Sequence, residues 1–226
     1  MANRISIKNQ NVRRLTVSAL MLALAVFLDL MSKLLFPFLS LSFGGSITIA
    51  SMLPIIIVGY LFGVRWGLLT GLSYSVLQMV LGMSTVSALF LPGSDSYTNI
   101  VNALLICLID YVLAYTSLGL GGIFRNRFKS TIASLVLGSV VSLAVCYAFH
   151  VLSGAIFYGA FAEWFFTDTV MAELAISERI LSTFSGGMLA FVYSLIYNGC
   201  YMIPEIVITS VVAVPIGKAL PSLEKK

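Results

Sequence analysis

Four ionisable side chains interrupt the long apolar stretches of this sequence: Asp29, Asp110, His150 and Glu205. An ionisable group inside a lipid-embedded helix costs on the order of 3 kcal/mol, so each one requires a partner or a function. A carboxylate, an imidazole and nearby aromatic rings suit a flat, cationic, hydrogen-bonding ligand, because ring faces attract a desolvated cation by roughly 1 to 2 kcal/mol each. These residue types alone do not identify the ligand.

The residues around His150 repeat with the period of one helix face. Positions i, i+3, i+7 and i+11 of this face are Tyr147, His150, Gly154 and Tyr158. The pattern is typical of a pocket wall in which the glycine leaves space. An ordinary packed interface, with His150 bonded to a serine or a backbone carbonyl of a neighbouring helix, explains the same spacing equally well.

Three other apolar stretches place polar residues at a similar depth. With about 1.5 Å of rise per residue, Asp29, Asp110 and His150 each lie roughly 12 to 18 Å below the outer surface. Tyr193 and Asn198 reach a similar depth, although Asn198 joins the same pocket only if the cavity curls around its helix. A structural pair between Asp110 and His150 is the alternative to a ligand role. Glu205 lies nearer the inner side, which leaves its membership of the cavity open.

The composition identifies the elements that must position these residues. Apolar residues make up 59% and charged residues 10% of the 226 residues, far from the roughly half-apolar, quarter-charged usage of soluble domains. Since a bilayer core requires about 20 apolar residues per helix, we predict an all-α integral membrane protein. The prediction is a single membrane domain, 1–226, that forms a bundle of six transmembrane helices at 14–37, 47–63, 64–83, 98–123, 131–158 and 184–215, with a long outer loop at 159–183.

The basic residues predict the orientation of this bundle, because lysine and arginine concentrate in cytoplasmic loops. One side would hold only Lys33 and Arg179. The other side would hold Arg4, Lys8, Arg13, Arg14, Arg65, Arg125, Arg127, Lys129, Lys218, Lys225 and Lys226. Both termini are therefore predicted to be cytoplasmic, which agrees with an even number of spans.

Small residues recur every four positions in two of the predicted spans. They are Gly63, Gly67 and Gly71, from the end of the second span into the third, and Ser134, Gly138 and Ser142 in the fifth. Such spacing allows neighbouring membrane helices to approach closely, so we expect tight helix contacts on both faces.

Other functional classes have weaker support. An intramembrane enzyme using Asp110 and His150 is the alternative of another class, but the sequence contains no H-E-x-x-H, G-x-S-x-G or paired acidic metal motif,. One histidine cannot build a multi-histidine metal site. We therefore expect no catalytic residue, no metal and no cofactor. The formal charge of +4 forms no basic face for nucleic acid.

Several short segments, in a consistent order along nearly the whole chain, resemble one family of membrane proteins. The segments are Gly44-Gly45-Ser46, Met52-Leu53-Pro54, Asp110-Tyr111, Ser117-Leu118-Gly119, Tyr147-x-x-His150-x-x-Ser153-Gly154-x-x-Phe157 and Tyr193-Ser194-Leu195-x-Tyr197-Asn198-x-x-Tyr201-Met202-x-Pro204. The sequence is similar to the thiamine-specific substrate-binding (S) subunits, of the ThiT or YuaJ type, of energy-coupling-factor (ECF) transporters in Gram-positive bacteria.

The resemblance implies a role for each matching residue. Asp110 would face the positively charged thiazolium, with Tyr111 and Tyr158 as aromatic walls. The candidate substrate-binding residues are Asp110, Tyr111, Tyr147, His150, Tyr158, Tyr193 and Asn198. Three residues depart from the family pattern: Tyr158 replaces a tryptophan, Ile106 a glutamine and Cys146 a basic residue. A thiamine precursor or a related vitamin is therefore the alternative ligand.

The resemblance also implies partners and a location. The protein would not be an enzyme. It would work with a membrane-embedded coupling (T) subunit and two cytoplasmic ABC-type ATPases, in the cell membrane of a Gram-positive-type bacterium. Family members dock on the coupling subunit through an Ala-x-x-x-Ala patch of the first helix, which Ala19 and Ala23 match. Alanines four apart are also common by chance in apolar helices.

Overall fold

The computed structural model of the chain describes residues 2–41 and 44–224, and it describes side chains for these residues except 2–8, 170 and 222–224. The side chains of Arg4 and Lys8, and both Lys225 and Lys226, which entered the orientation prediction, lie outside this description. Within it, the protein is all-α, and the β-type pairing is an isolated bridge between Ser40 and Ser46.

Ten α-helices and several shorter helical turns form the described part of the chain. The helices are α1 (Ala2–Leu35), α2 (Leu53–Phe62), α3 (Val64–Leu81), α4 (Met83–Ala88), α5 (Ile100–Ile106), α6 (Ala114–Thr116), α7 (Thr131–Phe157), α8 (Ala162–Thr167), α9 (Ala175–Thr183) and α10 (Gly186–Glu224). A π-helix, Cys107–Leu113, joins α5 to α6, and a 3-10 helix, Ser117–Gly122, follows α6. We call the continuous stretch Ile100–Gly122 the composite helix.

Four helices of the described residues are long and apolar enough to cross a membrane: Asn9–Leu35, Ile100–Gly122, Thr131–Phe157 and Gly186–Pro221. They correspond to the first, fourth, fifth and sixth predicted spans. The protein is thus an all-α, multi-pass membrane protein. The second and third predicted spans correspond to α2 and α3, which do not meet this criterion, and the count of six crossings stays a prediction.

Helix α2 begins six residues later than the span predicted at 47–63. Pro54 occupies its first turn, where the missing amide proton is not needed. The helix has 10 residues and is about 15 Å long, half the thickness of a bilayer core. Because Leu53–Tyr60 is buried on every side, α2 lies at the centre of the bundle. Residues 47–52, which precede it in the chain, have no helical structure.

Glycines allow α2, α3 and the composite helix to touch through their backbones, as the small-residue spacing predicts. A Cβ atom added at Gly67 would lie 2.6 Å from the Gly119 carbonyl oxygen and 2.6 Å from the Gly59 Cα. At Gly71 it would lie 2.8 Å from the Thr116 carbonyl oxygen. Gly63 has a different role, because its φ of 90° forms the sharp turn between α2 and α3, which favours a residue without Cβ.

The long helices alternate in direction. The ends of α1, α3 and α7, the middle of the composite helix and the first half of α10 lie around one cavity, at what we call the upper end of the bundle. The predicted outer loop, 159–183, also lies at this end. It contains α8 and α9, and Phe165 of α8 packs against Tyr193 of α10.

Two arginine side chains, Arg14 and Arg125, lie at the opposite end of the bundle, which we call the lower end. The Arg14 guanidinium lies 6.0 Å from the centre of the Trp66 ring. Arg125 lies 6.0 Å from the centre of the Tyr60 ring and donates to the Leu61 carbonyl. These contacts tie the start of α1 and the chain after the composite helix to the α2–α3 turn.

Candidate functional site

A cavity of about 240 Å³ opens at the upper end of the bundle, above the short helix α2. This volume far exceeds the roughly 10–15 Å³ that one water molecule requires. The wall contains Asp29, Lys33, Ser40, Leu41, Gly44, Gly45, Ser46, Thr48, Met52, Gln78, Gly82, Thr85, Leu89, Ile106, Asp110, Tyr111, Tyr115, His150, Gly154, Tyr158, Tyr193, Tyr197, Asn198 and Tyr201. Space is available there because residues 47–52 do not continue α2 upward.

Asp110 and His150 form a pair across this cavity wall. The His150 Nδ1 lies 2.8 Å from the Asp110 Oδ1, so the imidazole donates and the carboxylate accepts. The Asp110 side chain is 28% exposed and that of His150 5%. The pair anticipated as a structural alternative is therefore present, and it leaves the carboxylate facing the cavity. The exposed part of the Asp110 carboxylate is therefore accessible to a cationic ligand.

Neighbouring side chains hold the His150 ring in place. Its centre lies 5.8 Å from the centre of the Tyr115 ring and 6.0 Å from that of Tyr201. Its second nitrogen, Nε2, lies 3.5 Å from the Cys146 Sγ. Both imidazole nitrogens thus have partners, and the histidine, itself part of the cavity wall, orients Asp110.

A π-helix presents Asp110 and Tyr111 to the cavity. Both residues lie in Cys107–Leu113, and Tyr115, one turn further along, also lines the cavity. A π-helix closes its turns with i to i+5 hydrogen bonds, and such turns inside α-helices are frequent at functional sites. The wider turn departs from the α-helical spacing assumed from the sequence.

Tyrosines form much of the remaining wall. Tyr111 and Tyr158 line it, as do Tyr193 and Tyr197, whose ring centres are 5.7 Å apart. Phe165 supports the last two rings from outside the cavity, with centre distances of 5.3 Å to Tyr193 and 5.8 Å to Tyr197. This arrangement offers several aromatic faces to a planar ligand.

Asn198 lines the cavity but already has hydrogen-bond partners. Its Nδ2 donates to the Ser194 carbonyl at 2.9 Å, and its Oδ1 accepts from the Tyr201 hydroxyl at 2.7 Å. Gly154 makes this possible, because a Cβ atom there would overlap Ser194 and crowd the Asn198 amide. Helices α7 and α10 therefore meet closely beside the cavity.

Tyr147 is the one candidate binding residue that the structure places elsewhere. Its hydroxyl donates to the Leu195 carbonyl at 2.6 Å, and the side chain is outside the described cavity wall. The sequence predicts that Tyr147 shares a pocket with His150, whereas here its hydroxyl links α7 to α10. The other six candidates, Asp110, Tyr111, His150, Tyr158, Tyr193 and Asn198, come together around the cavity.

Sequence reasoning missed several residues of the wall. Gln78 and Tyr115 carry no motif that separates them from ordinary helix residues. Tyr201 and Gly44-Gly45-Ser46 belong to matching segments, but no role was assigned to them. Lys33 also lines the cavity, where its Nζ lies 2.7 Å from the Asp29 carboxylate, so the intramembrane Asp29 has a partner on its own helix.

Comparisons with known proteins agree with this architecture. The family model described as "Thiamine transporter protein (Thia_YuaJ)" matches residues 15–164. A curated relative, "Thiamine transporter ThiT" of Bacillus subtilis (strain 168), is 29% identical over 227 residues, covering 96% of this chain and 97% of the relative. Both are transporters rather than enzymes, so an intramembrane enzyme has no support. The family match extends over most of the chain, and we conclude that this chain belongs to the Thia_YuaJ family of thiamine transporter proteins.

Proposed function

We propose that this chain is the substrate-binding (S) subunit of an ECF-type vitamin importer and that it captures thiamine from outside with high affinity. The observation that supports the proposal is the paired carboxylate of Asp110, which faces a cavity walled by tyrosines. The family and the curated relative, both described as thiamine transporters, agree with it. Nanomolar binding requires about 12 kcal/mol, which an aromatic pocket with one ion pair can supply.

Each part of thiamine has a counterpart in the cavity. Its thiazolium ring is cationic, and Asp110 supplies the opposite charge. Its two flat rings suit the faces of Tyr111, Tyr158 and Tyr193, which all line the cavity. The Asn198 amide and the paired His150 hold these groups in place. These six residues are the proposed binding set.

We propose a single membrane domain, 1–226, that crosses the cell membrane of a Gram-positive-type bacterium six times. Both termini would be cytoplasmic, because Arg14 and Arg125 mark the lower end of the bundle and basic residues concentrate on the cytoplasmic side. Helix α2 together with residues 47–52 would make one of the crossings. The cavity would then face outward, where the vitamin arrives.

Direct binding tests the ligand assignment. We expect the purified protein to bind thiamine in detergent or nanodiscs without ATP. Trp66 and Trp164 both lie outside the described cavity wall, so isothermal titration calorimetry is a better measurement than tryptophan quenching. Thiamine, its phosphates and hydroxymethylpyrimidine, titrated in parallel, distinguish the vitamin from its relatives. Absence of heat with thiamine, alongside heat with another ligand of the panel, would contradict the thiamine assignment.

Transport would depend on partners, since no described part of the chain resembles an ATPase. We propose a membrane-embedded coupling (T) subunit and two cytoplasmic ABC-type ATPases. Ala19 and Ala23 are exposed on the outer side of α1, beside the exposed side chains of Leu20 and Leu24. Their small size leaves a shallow strip on which another membrane helix can dock closely.

Paired substitutions separate docking from binding. We expect Ala19→Trp with Ala23→Trp to abolish thiamine uptake in cells that contain the coupling subunit and ATPases, because bulk prevents close helix contact, while thiamine binding by the purified protein stays unchanged. The matched control is Val207→Trp with Val211→Trp, two exposed residues four apart on α10. Normal thiamine uptake by the variant with tryptophan at both alanine positions of α1 would exclude this docking strip.

A further inference from the structure

Helix α10 presents three side chains at four-residue intervals to one short stretch of chain. Tyr197, Tyr201 and Glu205 lie along one side of the helix, and each contacts a residue between Gly44 and Thr48. This stretch forms one side of the cavity, which Gly44, Gly45, Ser46 and Thr48 all line. We call residues 44–48 the wall segment.

The two tyrosines hold the upper part of the wall segment. The Tyr197 hydroxyl donates to the Gly44 carbonyl at 3.1 Å. The Tyr201 ring lies so close to Gly45 that an added Cβ atom would be 2.5 Å from it. Both glycines have positive φ, 98° and 86°, a conformation that most side chains disfavour.

Glu205 holds the lower part. One carboxylate oxygen accepts from the Thr48 backbone amide at 2.8 Å, and the other accepts from the Thr48 hydroxyl at 2.8 Å. The glutamate is fully buried and, in the part of the chain described, is not among the residues of the cavity wall. Its contact with the cavity is therefore indirect, through Thr48.

The backbone beyond Thr48 is held in an unusual path. The Ile49 amide donates to the Ser32 hydroxyl of α1 at 2.9 Å. Ala50 has a φ of 53°, which costs a residue other than glycine on the order of 1–2 kcal/mol in general. Such backbone persists only where its surroundings impose it, and here the two preceding residues are held by Glu205 and Ser32.

Residues 47–52 have no helical structure to fix their path. Pro54 in the first turn of α2 prevents a regular helix from continuing back through them, because a proline ring clashes with the carbonyl four residues earlier. The Thr48 amide and hydroxyl therefore require acceptors outside a helix, and Glu205 supplies them. Glu205 thereby stabilises the non-helical path beside the cavity.

We propose that Glu205 is a positioning residue for the ligand site: without touching the ligand, its carboxylate fixes Thr48 and so keeps the wall segment in its binding-competent shape. The inference rests on the proposed function, since it assigns Glu205 a role in thiamine binding. It also explains why a fully buried carboxylate lies on a membrane helix, where it would otherwise be costly.

Three variants test the role of the carboxylate. We expect Glu205→Ala to weaken thiamine binding by about tenfold or more, because two buried donors lose their acceptors. Glu205→Gln is expected to stay within about threefold, since its amide oxygen accepts from the Thr48 amide and its amide nitrogen donates to the Thr48 hydroxyl. Thr48→Val, which removes one of the two bonds, is expected to lie between them. Calorimetry on the purified proteins measures all three.

Hydrogen exchange followed by mass spectrometry supplies a readout that does not need ligand. In Glu205→Ala we expect faster exchange in peptides covering 44–52, with unchanged exchange in the lower half of α7. The matched control is Val207→Ala, an exposed position on the same helix, which should match wild type in exchange and in thiamine affinity. If Glu205→Ala does not accumulate, both calorimetry and hydrogen exchange are measured on Thr48→Val instead.

Two results would overturn the inference. One is wild-type affinity in Glu205→Ala or, where that variant fails, in Thr48→Val. The other is an equal loss of thiamine affinity in Glu205→Gln and Glu205→Ala, with unchanged hydrogen exchange at 44–52. That result would indicate that binding requires the charge of Glu205 rather than its positioning of the wall segment. If the wild-type protein itself binds no thiamine, the proposed function fails, and the exchange experiment still decides whether Glu205 holds the wall segment.

Discussion

Replacing Asp110 by asparagine is expected to weaken thiamine binding by at least about tenfold, a loss of about 1.4 kcal/mol, while the protein stays folded. Asparagine can still accept a hydrogen bond from the His150 Nδ1, so the contact across the cavity wall is retained. What disappears is the negative charge opposite the thiazolium. Calorimetry with the purified variant measures the loss, and thermal unfolding checks the fold.

Two controls show whether charge is the cause. Tyr147→Phe removes a hydroxyl that bonds Leu195 outside the cavity wall, and its thiamine affinity should remain at the wild-type level. Hydroxymethylpyrimidine is neutral, so whatever affinity wild type has for it should be nearly unchanged in Asp110→Asn. Undiminished thiamine binding by Asp110→Asn would remove the ion pair from the proposed mechanism.

Adding a single methyl group at Gly119 is expected to destabilise the whole bundle. A Cβ atom there would overlap the backbone of Gly67 and Leu68, and backbone inside a helix contact cannot move aside as a flexible side chain can. We expect Gly119→Ala to lower the midpoint of thermal unfolding by at least about 5 °C, the scale of overpacking by a few kcal/mol. Thermal unfolding in detergent measures this change.

Gly187→Ala is the matched control for this substitution. Gly187 lies in the first turn of α10, and an added Cβ atom has no neighbour within 4 Å. Alanine favours a helix over glycine by about 1 kcal/mol, so this variant should unfold at or slightly above the wild-type midpoint. Equal midpoints for Gly119→Ala and wild type would show that α3 and the composite helix are not in backbone contact.

Much of the fold follows from hydropathy, and the exceptions have physical causes. The beginning of α7 matches its predicted span at Thr131 because Ser130 accepts the Ala133 amide as an N-cap, a local signal. The beginning of α2 also has a local signal, Pro54 in its first turn. The path of the residues before it has no local signal, because Thr48 is bonded to Glu205, which is 157 positions away.

The sequence predicts those residues of the candidate site whose chemical type differs from that of their apolar neighbours. Asp110 and His150 are ionisable groups in apolar surroundings, and the cost of burying them indicates a partner before any coordinates exist. Tyr147 shares the spacing of His150, but periodicity cannot show which neighbouring helix a face contacts. Tyr115 and Gln78 look like ordinary helix residues, and only the packing of other helices places them at the cavity.

The central position of α2 has a consequence for biosynthesis. Thr48 leaves the ribosome long before its acceptor on α10 exists, and at about 5–20 residues per second the delay is roughly 8–30 s. During this interval the polar amides near Thr48 must find water or the insertion machinery, since lipid offers them no partner. The middle of this protein is therefore completed last, after the final helix has entered the bilayer.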